Sequence, residues 1–226
     1  MTGPPSCRGG DGADDQAEDG QLDDADLEEL IGPWWVEAHR IGAVGGASVS
    51  AAQVHLERAR AFAAMCDEPV SFVDLGTGAG SPGLFLALLW PASVGLLVDS
   101  SEKRAALVER WVGRWGLARR MEVYAGRAED LGAEPAQRER FAVGVARSFA
   151  KPPVVAELAA PLVSIGGEVL VSEPPDGESR WDPAGLAVVG LADGGAVRGI
   201  RRLRKTASCP ERFPRRGTTI AKRPLW

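Results

Sequence analysis

An apolar run from Val70 to Leu75 leads directly into a glycine-rich turn, and an apolar segment from Gly83 to Trp90 follows. Such near-continuous apolar runs are typical of parallel strands that are buried on both faces. Glycines at alternate positions of the turn permit positive φ and close approach of a bound molecule. The N–H groups at the start of the following helix favour a polar or anionic ligand. The pattern therefore predicts a strand–turn–helix cradle for a small-molecule cofactor.

The spacing of the turn separates two kinds of cofactor site. A dinucleotide fingerprint, G-x-G-x-x-G, needs its third glycine where this chain has Ser81. Asp74 instead precedes three alternating glycines, an order that resembles the first motif of class I S-adenosylmethionine methyltransferases. A second apolar strand ends at Asp99, 19 residues after Gly80, where a carboxylate accepts hydrogen bonds from a ribose. We expect a nucleoside-type cofactor, and a structural glycine turn capped by Asp74 is the alternative.

The rest of the chain alternates strands with helices. Strands are predicted at residues 70–75, 94–99, 121–125, 141–146 and 167–172, with helices at 83–90, 102–115 and 152–160. Two earlier helices are predicted, one over 23–38 that is broken or kinked near Gly32-Pro33 and one over 50–66. A hairpin of residues 186–191 and 197–205 is expected at one sheet edge. This order predicts an α/β fold with a mostly parallel, doubly wound sheet of Rossmann type.

Composition divides the chain into four segments. Residues 1–30 hold ten acids and one arginine, and we expect residues 1–24 to be disordered because they lack the apolar residues needed to fold. We assign residues 25–68 to a helical extension, 69–206 to the Rossmann-like methyltransferase domain and 207–226 to a basic C-terminal segment. From Arg198 onward there are ten Lys or Arg residues and one acid. A phosphate-binding strip is the favoured interpretation, and a merely solvated surface is the alternative.

Composition also disfavours several kinds of site. Cys7, Cys66 and Cys209 are odd in number and widely separated, which fits neither a disulfide framework nor a metal site. No stretch approaches the roughly 20 apolar residues of a membrane span. The first residues lack the basic-then-apolar order of a signal peptide. We therefore expect a cytoplasmic monomer without a metal or a membrane partner.

Five separated segments carry a family resemblance: Asp74 to Leu84, Val98 to Arg104, Gly126 to Asp130, Ala146 to Ala150 and Arg212 to Leu225. Together they resemble the bacterial small-subunit ribosomal RNA guanine-N7 methyltransferases, the glucose-inhibited-division B (GidB) family. The glycine motif is shared by the whole superfamily, whereas the Arg-Ala-Glu, Ala-Arg and Pro-Arg-Arg segments in this order are far more specific. The resemblance covers residues 70–226. It implies S-adenosylmethionine as cofactor and 16S rRNA or the small ribosomal subunit as partner.

Motif spacing and the resemblance together indicate roles for individual residues. The candidate cofactor-binding residues are Gly76, Gly78, Ser81, Asp99, Ala128, Glu129 and Arg147. No catalytic residue is assigned, because guanine N7 has a lone pair and no proton to lose, and positioning supplies much of the acceleration. Arg147 is a candidate for orienting the cofactor or substrate, and an ion pair with Asp99 or Glu129 is the alternative. The two histidines, His39 and His55, lie outside the predicted cofactor half.

The basic part of the chain supplies the candidate contacts to substrate RNA: Arg201, Arg202, Arg204, Arg215, Arg216 and Lys222. One departure from the family lies after the fifth strand, where Lys-Gly is usual and this chain has Ser172-Glu173. Two alternative functions stay open for that reason. One is a divergent paralogue that methylates another RNA or a small molecule, and the other is a cofactor- or RNA-binding protein without turnover.

Overall fold

The computed structural model describes residues 24–46, 50–174 and 179–226. Within these residues, seven strands form one sheet in the order β3-β2-β1-β4-β5-β7-β6. The strands are β1 Ser71–Leu75, β2 Val94–Asp99, β3 Met121–Ala125, β4 Phe141–Ala146, β5 Val163–Ser172, β6 Leu191–Val197 and β7 Ile200–Lys205. The first five strands pair in parallel, and β7 is antiparallel to both of its neighbours. The predicted α/β fold with a mostly parallel sheet is confirmed.

Helices cover both faces of the sheet. One apolar cluster unites Phe72, Val145 and Leu170 of the sheet with four helices, α1 Asp24–Arg40, α2 Ser50–Ala63, α3 Gly83–Leu89 and α4 Glu102–Arg114. The other unites Val73 and Leu203 with α5 Ala128–Ala133, α6 Pro152–Ala159, α7 Pro183–Val188 and α8 Gly217–Lys222. Neighbouring residues such as Phe72 and Val73 enter different clusters because successive strand side chains point to opposite faces.

Of the predicted break or kink near Gly32-Pro33, the break is wrong, because α1 runs unbroken through Pro33. A proline inside a helix costs about 3 kcal/mol through a lost hydrogen bond and a steric clash. In α1, however, Ile31, Trp34 and Ala38 recur every three or four residues and are buried against the first cluster. Burying one large apolar side chain contributes about 1.5–3 kcal/mol, so this face offsets the cost of the proline.

The expected edge hairpin is present, but its first strand was placed too early. Residues 186–188 belong to α7, whose start is capped by Asp182 through a 2.7 Å hydrogen bond from the Gly185 backbone N–H. The paired strands are β6 and β7. They are joined at Arg198 and Gly199, which have φ values of 51° and 75°. Two successive positive φ values are typical of the type I′ turns that connect hairpins.

Other differences concern short helices and element boundaries. Helices α5 and α8 were not predicted, α2 ends at Ala63 rather than residue 66, and β5 begins at Val163 rather than residue 167. The predicted disordered segment falls almost entirely on residues 1–23, which lie outside the described residues. Among the described residues no helix is both long and apolar enough to cross a membrane. In that same part of the chain, no group of three or more His, Cys, Asp or Glu side chains is arranged to hold a metal ion.

Candidate functional site

The turn between β1 and α3 is shaped by three glycines with positive φ. Gly76, Gly78 and Gly80 have φ values of 70°, 62° and 104°. A Cβ atom on Gly78 would meet only the Gly76 carbonyl oxygen within 4 Å, so the turn faces open space at that point. Side chains other than glycine rarely adopt this backbone conformation. The predicted cradle therefore has the open backbone surface that a ligand requires.

Asp74 braces this turn from inside the protein. Its side chain is fully buried, and its Oδ2 accepts a 2.9 Å hydrogen bond from the Gly83 backbone N–H at the start of α3. Burial raises the pKa of Asp74 from 3.8 to about 6, because the charged carboxylate is desolvated. The capping role that was the alternative interpretation of Asp74 is thus present, alongside an open cavity on the other side of the turn.

Asp99 joins the glycine turn to the end of β2. Its Oδ2 accepts a 2.9 Å hydrogen bond from the Gly78 backbone N–H, and its Oδ1 accepts a 2.8 Å bond from the Ser101 N–H. Arg104 donates to both carboxylate oxygens at 2.9–3.1 Å. The Arg104 side chain is 44% exposed, whereas that of Asp99 is 3% exposed. The carboxylate is therefore fixed in position, and the part-exposed Arg104 guanidinium lies against it.

A cavity of about 730 Å³ lies beside the turn and holds all seven predicted cofactor-binding residues. They are Gly76, Gly78, Ser81, Asp99, Ala128, Glu129 and Arg147. The cavity opens where the parallel strands end, which is the usual ligand crevice of an α/β sheet. Its volume lies within the range of about 300–1,000 Å³ that small-molecule sites have. The structure thus brings the seven residues together, and their contacts with a cofactor stay a prediction.

The helical extension also contributes to the cavity wall, through Ala43, Val44, Gly45, His55 and Arg58. The expectation that His55 lies away from the cofactor half is wrong. Its ring is buried, packs edge-on against Trp34 at 5.2 Å between centroids, and has an Nδ1 without a hydrogen-bond partner among the described residues. Burial and the positive charges of Arg147 and Arg58 lower the pKa of His55 to about 4. His55 is therefore neutral at pH 7.

Arg147 forms neither of the ion pairs that were its alternative role. Its Nε donates a 3.1 Å hydrogen bond to the Ser81 carbonyl oxygen, which ties the end of β4 to the glycine turn. Asp99 pairs with Arg104 instead, and Glu129 pairs with Arg127. Burial, with the nearby Arg58, lowers the pKa of Arg147. A cation is thus held at the cavity wall without a carboxylate partner in the described part of the chain.

The six predicted RNA-binding cations do not form one strip. Arg201 pairs with Asp193 at 2.7 Å, Arg202 pairs with Glu168 at 2.9 Å, and Arg215 pairs with the buried Glu157 at 2.5 Å. Neighbouring residues of β7 point to opposite faces of the sheet, which separates Arg201 from Arg202. Three of the six remain exposed: Arg204, Arg216 and Lys222. Half of the predicted set is therefore engaged in ion pairs within the domain.

Comparison with known families and structures places this geometry in context. A family model described as rRNA small subunit methyltransferase G (GidB) matches residues 52–175. The ribosomal RNA small subunit methyltransferase G of Pelotomaculum thermopropionicum is 34% identical over 171 residues, covering 70% of this chain and 71% of that protein. The protein of the same name from Synechococcus sp. strain CC9902 is 36% identical over 170 residues, covering 70% of each chain.

Solved structures show the same fold at low identity. A methyltransferase from Geobacter sulfurreducens superposes with a TM-score of 0.58 and 14% identity, over 84% of this chain and 93% of that one. The [4+2]-cyclase SpnF superposes with a TM-score of 0.51 and 19% identity, over 75% and 71% of the two chains. Since the fold carries more than one chemistry, the family evidence rests on the sequence matches.

Proposed function

Since this chain belongs to the rRNA small subunit methyltransferase G (GidB) family, we propose that it methylates N7 of a guanine in 16S rRNA with S-adenosylmethionine as methyl donor. The observation that carries the proposal is the cavity in which the glycine turn, Asp99 and Arg147 meet at the ends of the parallel strands. The residues from 69 to 206 would form the methyltransferase domain. The extension from 25 to 68 would complete the cofactor cavity through His55 and Arg58.

The polar groups of the cavity fit this cofactor. Gly78 leaves open space beside the turn, and Ser81 Oγ and His55 Nδ1 are buried without a hydrogen-bond partner among the described residues. A carboxylate has about four acceptor positions, of which backbone N–H groups use two at Asp99. Ribose hydroxyls would compete with the exposed Arg104 for the other positions. By family resemblance, the backbone beside Ala128 and Glu129 would contact the adenine.

The residues of the site have to position the reactants rather than move protons. When bound, S-adenosylmethionine supplies a methyl group on a positively charged sulfur. Guanine N7 offers a lone pair and loses no proton, so methyl transfer to N7 requires no general base among the residues of the site. His55 lines the cavity, is neutral at pH 7 and adds no positive charge there. Arg147 would hold the turn in place through the Ser81 carbonyl oxygen.

Two exposed cations at the ends of α8, Arg216 and Lys222, are the proposed RNA contacts. Helix α8 begins against the cavity wall, since a Cβ atom on Gly217 would lie 2.4 Å from Glu129 Oε1 and 3.2 Å from an Arg127 guanidinium nitrogen. Arg216 immediately precedes this contact, and Lys222 ends the same helix. The exposed charges of a helix that begins at the cavity wall support binding of RNA phosphates on this side of the protein.

Calorimetric titration of the purified protein tests the cofactor assignment. We expect binding of S-adenosylmethionine and no comparable binding of NAD. Asp99→Ala removes a buried charged acceptor, which costs about 1.5–3 kcal/mol or about tenfold or more in affinity. Glu122→Ala is the matched control, because Glu122 is an exposed acid on β3 that does not line the cavity. Absence of S-adenosylmethionine binding, or a preference for NAD, contradicts the proposal.

A further inference from the structure

A second, smaller cavity adjoins the cofactor cavity. It measures about 320 Å³ and shares Ser148, Phe149 and Ala150 with the first cavity. Its other walls come from the start of α6, from the end of β5 through Val171 to Pro174, and from Arg180 and Trp181. It lies where β4 and β5 end, on the ligand side of the sheet. A group bound there would therefore face the cofactor across a short shared wall.

The shared wall has a defined conformation. Ser148 has a φ of 51°, a left-handed conformation that residues other than glycine adopt at a cost and that is often found at functional sites. It places the Phe149 ring against the glycine turn, where a Cβ atom on Gly76 would be 2.4 Å from the ring. Phe149 also lines both cavities and is partly exposed. An aromatic ring in this position can stack on a nucleobase.

One carboxylate, Glu173, lines the second cavity. Its side chain is 8% exposed, and its Oε1 accepts a 2.6 Å hydrogen bond from Trp181 Nε1. The only other hydrogen bond to its side chain in the described part of the chain is a 3.4 Å bond from the half-exposed Arg180. Since a carboxylate has about four acceptor positions, Glu173 keeps capacity for further donors. This is the position where the family usually has a cation.

We propose that the second cavity holds the target guanine and that Glu173 reads it. Guanine carries two adjacent donors, N1–H and the N2 amino group, that a single carboxylate can accept together. Adenine lacks this donor pair, because its N1 is an acceptor and it has no N2 amino group. The donor edge lies across the base from N7, so holding that edge at Glu173 leaves N7 free to face the shared wall and the cofactor. This inference rests on the proposed methylation of guanine N7.

Nucleoside binding tests this inference without relying on turnover. The protein is saturated with S-adenosylhomocysteine and titrated with guanosine, inosine or adenosine, and the indole N–H resonance of Trp181 is followed by NMR. This N–H donates to Glu173, so it reports on the carboxylate directly. We expect guanosine to shift the resonance and to bind about tenfold more tightly than inosine, which lacks only the N2 amino group. Adenosine is expected to bind more weakly still.

The variant Glu173→Gln separates reading of the base from a structural role. It should weaken guanosine binding about tenfold and leave inosine binding much less affected, which removes most of the preference between them. Glu168→Gln is the matched control, because Glu168 is an ion-paired acid on β5, the strand that Glu173 directly follows, but does not line the cavity. Affinity for S-adenosylhomocysteine should stay unchanged in both variants. If Glu173→Gln does not fold, the ratio of guanosine affinity to inosine affinity in the unaltered protein still tests the inference.

Two results would overturn the inference. One is equal affinity of the unaltered protein for guanosine and inosine. The other is a ratio of guanosine affinity to inosine affinity that is the same in Glu173→Gln as in the unaltered protein. If guanosine never shifts Trp181 while the protein methylates N7 of guanine in ribosomal particles, the inference is wrong and the proposed function stands. If S-adenosylhomocysteine does not bind, the proposed function fails, and the guanosine titration of the free protein still reports on the cavity.

Discussion

The ion pair between Arg215 and Glu157 links the C-terminal segment to α6 and makes a sharp prediction about stability. Glu157 has a side-chain exposure of 0%, and Arg215 has 24%. The carboxylate accepts hydrogen bonds from the Arg215 backbone N–H at 2.9 Å, from Nε at 2.8 Å and from the terminal guanidinium nitrogen at 2.5 Å. The pair raises the pKa of Arg215, so the guanidinium stays charged. Arg215→Ala therefore leaves a buried carboxylate without its counter-charge.

Arg215→Ala should lower the free energy of unfolding by about 3–5 kcal/mol, the usual cost of removing one partner of a buried ion pair. That is a large part of the roughly 5–15 kcal/mol by which a domain is stable. Urea unfolding followed by tryptophan fluorescence measures it. Arg216→Ala is the control, because Arg216 is exposed, and it should change stability by less than about 0.5 kcal/mol.

A double variant distinguishes a buried charge from general damage to the segment. Glu157→Leu combined with Arg215→Met removes both charges and leaves mainly the Arg215 backbone N–H without its acceptor, which costs about 1–3 kcal/mol. The double variant should thus be more stable than Arg215→Ala alone. A loss below about 1 kcal/mol for Arg215→Ala, or a double variant less stable than the single one, would refute this reasoning.

Three further outcomes are expected. Because burial raises the pKa of Asp74 from 3.8 to about 6, the native state keeps a proton that the unfolded state has lost, and stability falls as pH rises through that window. Asp74→Asn should then stabilise the protein against urea, by about 1 kcal/mol more at pH 8 than at pH 5, and an equal effect at both pH values would contradict this. The pKa of His55 is lowered from 6.5 to about 4, so stability contributed by the neutral ring is lost as pH falls below 6.5. The free energy of unfolding should therefore fall between pH 7 and pH 5, and His55→Gln should make that fall about 2 kcal/mol smaller. If the free energy of unfolding of His55→Gln depends on pH as that of the unaltered protein does, the ring is not desolvated. Charge reversal at Arg216 and Lys222 should weaken binding to 16S rRNA and flatten its salt dependence without changing S-adenosylmethionine affinity, whereas an unchanged salt slope would remove α8 from the RNA surface.

The cofactor half could be predicted because its signals are local. Gly76, Gly78 and Asp99 stand directly after apolar strands, and parallel strands end at the same edge of the sheet. Their meeting in one cavity therefore follows from strand order alone. The position of Arg104 on Asp99 was not predicted, although both residues lie in a segment that resembles the family. Side-chain pairing of this kind depends on rotamers that sequence patterns do not specify.

The contribution of the helical extension to the cavity was missed because the buried face of α2 includes a polar residue, His55. The buried positions are Ala52, His55, Leu56, Ala59 and Phe62, which form one face of the helix that includes a histidine. A helical pattern that allowed one polar residue on its apolar face would have placed His55 towards the domain.

The basic segment shows why charge counting gave a partial answer. Arg215 meets Glu157 across 58 positions of sequence, and Lys205 is buried beside Glu139. Both acids lie on elements that precede the segment, so no local window contains the pair. Sequence composition counts an exposed cation such as Arg216 in the same way as these paired or buried ones. Only the folded arrangement separates cations that are paired with acids of the domain from cations that remain exposed.

The most direct test of the proposed function is methyl transfer to a defined acceptor. Small ribosomal subunits from a strain lacking this gene are incubated with the protein and methyl-labelled S-adenosylmethionine, and 16S rRNA is then reduced with borohydride and cleaved with aniline at N7-methylguanine. We predict labelled 16S rRNA with one new cleavage site at a guanine, and much less label with Asp99→Ala. Label at another atom or in another RNA, or no label despite cofactor binding, would contradict the proposed function.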